Sequence, residues 1–466
     1  QRPRPGPPAA ASPPGMRGRG PAARAAAAAL AACVNTALAL QHAATSGAGA
    51  AGSHAQQRGS SLRSFLQRSR GAAASGHPDV AYCAAPPLLP LEPPKGLQLL
   101  QVQVVTRHGA RASFGDTLPN QTNAHWYSCA LGQELVMKLL ASTQFAQVVN
   151  ATTGRPLEQQ PLPPLPSTYE DRATCRPAEL LPAGFEMMME LGSNLRRAYA
   201  GQAAGGLLSQ LDAEGAYVRT TATQRTLGSA VSVLTGLIGP DMQAAMHRPP
   251  LRIELHGEEG GEVMMGSACP RADALDDYHD HRAVFASAGV GEANGVLSDV
   301  CDGGGLPCTR EGGCMEPWQA MQLVGYSEQV LCGRYTGGSP GSQAENLLIQ
   351  PFLQEIAGRL RAKAEGHRAP RFALYSGHDI VVAPVAGALG FFDCKWTPIG
   401  SHVVFELWGT PGAAGAASVR VLFNGGVVTS KVPGCGGGDL CPLAAFEHAV
   451  QAPLQGHATH AAACAI

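Results

Sequence analysis

The sequence predicts an α/β protein with a three-layer α/β/α core and a mostly helical cap subdomain. Three observations predict it. Apolar runs at 97–105, 216–219 and 371–376 read as strands. Each is followed at once by a polar or charged cluster and then by a helical pattern, the order that builds a parallel sheet with helices on both faces. The chain's 466 residues are also enough for one large core and a second, smaller unit.

Along the chain, residues 1–78 are rich in Ala, Gly, Pro, Ser and Arg and are not expected to fold as a domain. They hold nine arginines and no acidic residue, while the whole chain carries a net charge of −1. Nine positive charges there leave ten negative charges in excess elsewhere, so the body is acidic and a nucleic-acid partner is not expected. Within 16–45, Arg17, Arg19 and Arg24 precede the apolar run Ala25–Leu40 and then small residues. This reads as a secretory signal or a signal anchor, with an organellar transit peptide as the alternative. A secretory route would place the protein outside the cell, in a lysosome or vacuole, or on a Golgi membrane. Membrane contact is expected only through that segment.

Residues 79–96 read as a Pro-rich linker, and the folded domain is expected over 97–450. It opens on the strand Gln98–Val105. Helices are expected over Ala130–Leu140, Leu181–Tyr199, Thr223–Leu237, Pro317–Leu331, Gln343–Ala364 and Ile380–Leu389. Ala216–Arg219 and Arg371–Ser376 read as strands, as do His402–Trp408 and Ser418–Asn424. Residues 256–315 read as an acidic, Gly-rich loop region. The cap is expected within about 112–370, and 451–466 read as a disordered tail. Twelve cysteines outside the N-terminal segment suit an oxidising compartment and disulfides. Zinc at Cys301, Cys308, Cys314 and Cys332 is the weaker reading, because none forms a C-x-x-C pair. Asn120 and Asn150 head glycosylation sequons.

The chemistry concentrates at strand ends. Thr106-Arg107-His108-Gly109-Ala110-Arg111 follows the first strand, and Ser376-Gly377-His378-Asp379 follows the strand at 371–376. A histidine between two arginines gains little structurally and suffers real repulsion, so it points to an anionic ligand. Guanidinium groups fit phosphate oxygens in bidentate fashion. Arg219 ends a third strand. Ligands of open α/β sheets bind beyond the carboxyl ends of strands, where helix N-termini favour anions. Topology therefore lets Arg107, His108, Arg111, Arg219, His378 and Asp379 converge. Arg225 reads as a structural ion pair. His279-Asp280-His281 reads as a solvated loop rather than a metal site, and Met187–Met189 as packing.

The pair of motifs resembles the histidine acid phosphatases. Leu181–Gly184, Glu190–Gly192, Leu195–Tyr199, Val218–Thr221, Phe405–Trp408, Val421–Gly425 and Cys441–Leu443 are similar to further stretches of that family. The chain departs from it at Ser113, where the family usually has Pro, and at Ala222 and Gln224, where acidic residues are common. The resemblance covers roughly 97–450 and implies a phosphoglycerate mutase-like fold and a phosphate monoester substrate. It implies His108 as nucleophile through a phosphohistidine and Asp379 as proton donor. Phosphate contacts fall to Arg107, Arg111, Arg219 and His378, with no metal or other cofactor. The general acid must be protonated and His108 neutral, so an acid optimum is expected. The substrate could be a sugar phosphate or an inositol phosphate. The overall look is nearest to acid phosphatase-like enzymes of the secretory route. A non-catalytic module binding phosphorylated glycans is the competing reading.

Overall fold

The computed structural model describes residues 80–114, 146–156, 177–201, 206–208, 211–239, 249–257, 264, 269–275, 290–301, 305–309, 313–410 and 416–466. The helix expected at 130–140, the Asn120 sequon, Cys129, Cys175, residues 279–281 and all of 1–78 lie outside them.

The core is one sheet. β1 (Gln98–Arg107) pairs in parallel with β5 (Phe372–Gly377) and antiparallel with β6 (His402–Gly409). Beyond β5 come β3 (Ala216–Thr221), β4 (Leu251–His256) and β2 (Ala146–Asn150), all parallel. Beyond β6, β7 (Ser418–Phe423) pairs with the two short strands β8 (Gly426–Val427) and β9 (Cys441–Pro442). The order is β2-β4-β3-β5-β1-β6-β7-β8. The sequence reading missed β2 and β4. Five or six residues with partly exposed faces give a weak periodicity signal, and both strands depend on their parallel neighbours for hydrogen bonds.

β1 is buried along nearly its whole length, although two of its glutamines, Gln101 and Gln103, lie inside. They are satisfied internally. Gln103 Nε2 donates to Gln101 Oε1 and to the Ile356 carbonyl, and Tyr375 Oη donates to Gln103 Oε1. Buried amides tolerated this way fix the strand's register against its neighbours.

Helices cover both faces. On one, α1 (Pro182–Tyr199) and α2 (Gln224–Ile238) pack on each other, and α2 lies against β3 and β5. The small α3 (Pro270–Leu275) and the longer α4 (Val290–Cys301), α5 (Pro317–Tyr335) and α6 (Pro340–Ala364) follow in sequence. α6 packs with α7 (Asp379–Ala388) against β1. Phe352, Ile356, Leu360, Val381 and Val385 form one apolar cluster with Val105, Tyr375 and Phe405 on that face. α3 and α4 correct the reading of 256–315 as loop. Glycine and acidic content masked two short helices whose apolar residues meet a neighbour.

Two further expectations are corrected. Residues 80–96 do not behave as a linker. Tyr82, Cys83 and Leu88 are buried. The Ala85 N–H donates to the Ile399 carbonyl, and the Ile399 N–H donates to the Tyr82 carbonyl. Residues 451–466 do not behave as a free tail. After α8 (Leu443–Gln451), α9 (His460–Cys464) packs against α6, and Cys464 is bonded to Cys269. Such single anchor points leave no periodic trace in a sequence. Among the described residues the other disulfides are Cys83–Cys301, Cys308–Cys314, Cys332–Cys394 and Cys435–Cys441. All four cysteines weighed as a zinc set are thus disulfide-bonded. Among the described residues no helix is long and apolar enough to cross a membrane.

Candidate active site

β1 and β5 run side by side, with Thr106 paired to Ser376 and Arg107 to Gly377. Both chemistry-bearing motifs therefore leave the sheet at the same carboxyl edge. The loop after β1 is tied down by backbone hydrogen bonds without the proline. The N–H groups of Ala112 and Leu181 donate to the carbonyls of Glu179 and Ala110, and the Ala178 N–H donates to that of Ser113. Gln224 Oε1 accepts the Leu180 N–H at 2.9 Å. Gly109 is required here, though what approaches it is the first turn of α1: an added Cβ would lie 2.4 Å from the Gly184 carbonyl oxygen.

His108 is 3% exposed. Its Nδ1 lies 2.9 Å from the Gly109 carbonyl, which can only accept. Nδ1 therefore carries the proton, and the Nε2 lone pair is available to attack an electrophile. Burial first, and then the charges of Arg225, Arg107 and Arg111 with the neighbouring His378, hold His108 well below its ordinary pKa of 6.5. The His378 ring stands edge-on to that of His108, centroids 5.4 Å apart. His378 is likewise held low, by burial and then by Arg225, Arg107 and Arg111. Thr221 Oγ1 lies 3.1 Å from His378 Nε2 and gives its own proton to Thr226, so it accepts from the histidine.

Asp379 is the first residue of α7, with His378 at the N-cap position. Its Oδ1 accepts the Ile380 N–H at 3.0 Å. Its Oδ2 accepts from Arg107 at 3.0 Å and from Trp396 Nε1 at 3.3 Å. A small, open cleft lies beside this carboxyl, walled by Leu331, Tyr335, Ile380, Ala383 and Trp396. Arg107 is nearly inaccessible and also donates to Tyr82 Oη at 2.8 Å and to the Thr397 carbonyl. Its Nε, buried too, has no protein acceptor among the described residues. Arg111 donates to Asn294 Oδ1 at 2.7 Å and lies over the Phe114 ring, which Arg225 also flanks.

The model of the histidine phosphatase superfamily (branch 2) matches residues 98–286 and 323–424. The chain belongs to this superfamily. 2-Phosphoxylose phosphatase 1 of Homo sapiens is 26% identical over 369 residues, 73% of this chain and 74% of that protein. Counting factor 60 of Dictyostelium discoideum is 25% identical over 347 residues, 70% of this chain and 80% of that protein. Lysophosphatidic acid phosphatase type 6 of Homo sapiens is 24% identical over 380 residues, 76% and 83% respectively. Among solved structures, the phytase from D. castellii gives a TM-score of 0.45 at 16% identity, covering 82% of this chain and 86% of that one.

In this histidine phosphatase Arg107, His108, Arg111, His378 and Asp379 come together, and Arg219 does not join them. Arg219 stands in register with Tyr375 and Glu254, two residues short of the end of β3, on the face covered by α6. There it pairs with Glu355 at 2.5 Å and lies 5.8 Å from the Phe352 ring. Arg225, read from the sequence as structural, sits at the second position of α2 and is the first-ranked charge acting on both site histidines. A cation in the first turn of a helix opposes the helix dipole, a cost that a bound anion would offset. Tyr82, Asn294, Thr221 and Trp396 were also missed. Thr221 lies in the Val218–Thr221 stretch already singled out, whereas nothing local marks Tyr82, Asn294 or Trp396, since each reaches the site from a distant segment.

Proposed function

We propose that the protein hydrolyses phosphate monoesters at acid pH through a phosphohistidine on His108 Nε2. One observation carries this reading: a neutral histidine whose Nδ1–H is fixed on a backbone carbonyl lies among the charges of Arg107, Arg111 and Arg225. The phosphate docks between these arginines and the N-termini of α2 and α7. The buried Arg107 Nε–H is a donor available to it. His108 Nε2 attacks phosphorus in line as the ester P–O bond breaks, and Asp379 gives its proton to the leaving oxygen. Water then attacks the phosphohistidine and loses a proton to Asp379, and the P–N electron pair returns to Nε2. His378 joins as a donor when the phosphate's charge offsets that of the arginines and favours its protonated form. The leaving group meets the apolar and aromatic wall beside Asp379. The disulfides and the relatives support a secretory compartment, and 2-phosphoxylose phosphatase 1 supports a sugar phosphate as a substrate to assay.

Phosphate release from an alkyl phosphate, whose leaving oxygen needs a proton, tests the reading when followed across pH. The lowered pKa of His108 keeps Nε2 unprotonated well below pH 6.5, and general acid catalysis by a carboxyl group is favoured in acid. Turnover is therefore expected to peak in the acid range, unaffected by chelators. A maximum above neutrality would reverse the assigned roles.

The arginines separate by the same assay. Arg225→Ala is expected to lower kcat/KM by roughly 10²–10³-fold, as removal of a charge-stabilising donor does. Arg219→Ala, which removes a buried guanidinium from Glu355 and the Phe352 ring, should lower the melting temperature and leave kcat/KM within about threefold, because breaking a buried ion pair under α6 acts on stability rather than on the reacting atoms. Equal losses in both variants would place Arg219 back at the phosphate.

A further inference from the structure

We infer that Tyr82 is a positioning residue of the phosphate site, delivered by an N-terminal strap that the Cys83–Cys301 disulfide pins to α4. The inference rests on the reading of Arg107 as a phosphate contact. Tyr82 lies sixteen residues before β1 in a Pro-rich stretch with no secondary structure beyond the single turn Val80–Tyr82. Yet its hydroxyl accepts from Arg107 at 2.8 Å, and the same guanidinium nitrogen donates to Asp379 at 3.0 Å. With the Thr397 carbonyl, these acceptors fix the plane of the Arg107 fork from three sides. The Tyr82 ring meets the edge of Trp396 at 6.0 Å, and Trp396 is itself a donor to Asp379. One residue of the strap thus braces both the phosphate arginine and the indole on the proton donor.

The strap is held at that place. Its backbone exchanges hydrogen bonds with Ile399, and Cys83 is bonded to Cys301 at the end of α4. α4 also carries Asn294, the acceptor for Arg111. A single covalent link therefore holds the two elements that orient the two arginines on either side of His108. A guanidinium misplaced by a fraction of a side-chain length loses its alignment with equatorial oxygens, and such errors reduce rate more than binding of the ground state.

The test is a double-mutant cycle on the full chain, with kcat for an aryl phosphate and the Kd of inorganic phosphate as readouts. Tyr82→Phe keeps the ring against Trp396, so its melting temperature should match that of the wild type. It is expected to lower kcat by about tenfold or more and to weaken phosphate binding by about threefold, while adding no further loss in an Arg107→Lys background. Removing the strap's link with Cys83→Ser and Cys301→Ser together should reproduce the fall in kcat. Tyr82→Phe within twofold of wild type in both readouts would overturn the inference, and so would a loss that adds fully to that of Arg107→Lys. A wild-type protein without turnover would defeat the hydrolase reading alone, since the phosphate affinities of the four proteins still decide whether Tyr82 acts through Arg107.

Discussion

His108→Ala is expected to reduce phosphate release by roughly 10⁵-fold or more, the scale seen when a covalent nucleophile is removed. The expectation follows from geometry rather than from the motif alone. Nδ1 is committed to the Gly109 carbonyl, so the ring has one nucleophilic nitrogen and a fixed direction of attack. Burial and the surrounding arginines keep that nitrogen unprotonated in acid. The arginines and helix N-termini remain in the variant, so it should still bind inorganic phosphate. Rapid quenching of the wild type into base should trap phosphate on the histidine, and the variant should trap none. Activity retained in His108→Ala would mean that water attacks the ester directly and that the histidine only binds.

The second large effect concerns the leaving group. Asp379→Asn preserves an oxygen to accept the Ile380 N–H but has no proton to give. For an alkyl phosphate, whose alkoxide is a poor leaving group, kcat should fall by roughly 10²–10⁴-fold, the usual contribution of general acid catalysis. For a nitrophenyl ester, which leaves without protonation, the loss should be far smaller. The contrast between the two substrates is the measurement, because misfolding or poor phosphate binding would reduce both alike. An equal loss on both would assign Asp379 to orienting Arg107 and Trp396, with the proton coming from elsewhere.

Arg219 and Arg225 show where a reading of segments stops. Both belong to one short stretch, and both are arginines near the end of β3. Strand pleat sends Arg219 to the side of α6, where Glu355 waits, whereas the first turn of α2 carries Arg225 toward the two histidines. Alternation along β3 contains a hint, since Arg219 must face away from its buried neighbour Val218. No local pattern names the partner on the other side.

What the sequence by itself determined is what neighbouring residues decide together: the strands and helices around 98–107, 216–238 and 372–388, and the placing of His108, Arg107, Arg111, His378 and Asp379 at strand ends. Strand, loop and helix there are set by apolar runs and by side chains a few positions apart, so a motif and its structural setting are read as one unit. Only the tertiary structure decided which arginine joins the site, which nitrogen of His108 is left free by the Gly109 carbonyl, and that Tyr82, Asn294 and Trp396 hydrogen-bond to Arg107, Arg111 and Asp379. These depend on contacts between segments far apart in the chain, such as Arg111 with Asn294, 183 residues on. Such contacts form because the core brings the segments together. A buried side chain in a Pro-rich strap or a cysteine in an Ala-rich end has no periodicity of its own to announce it.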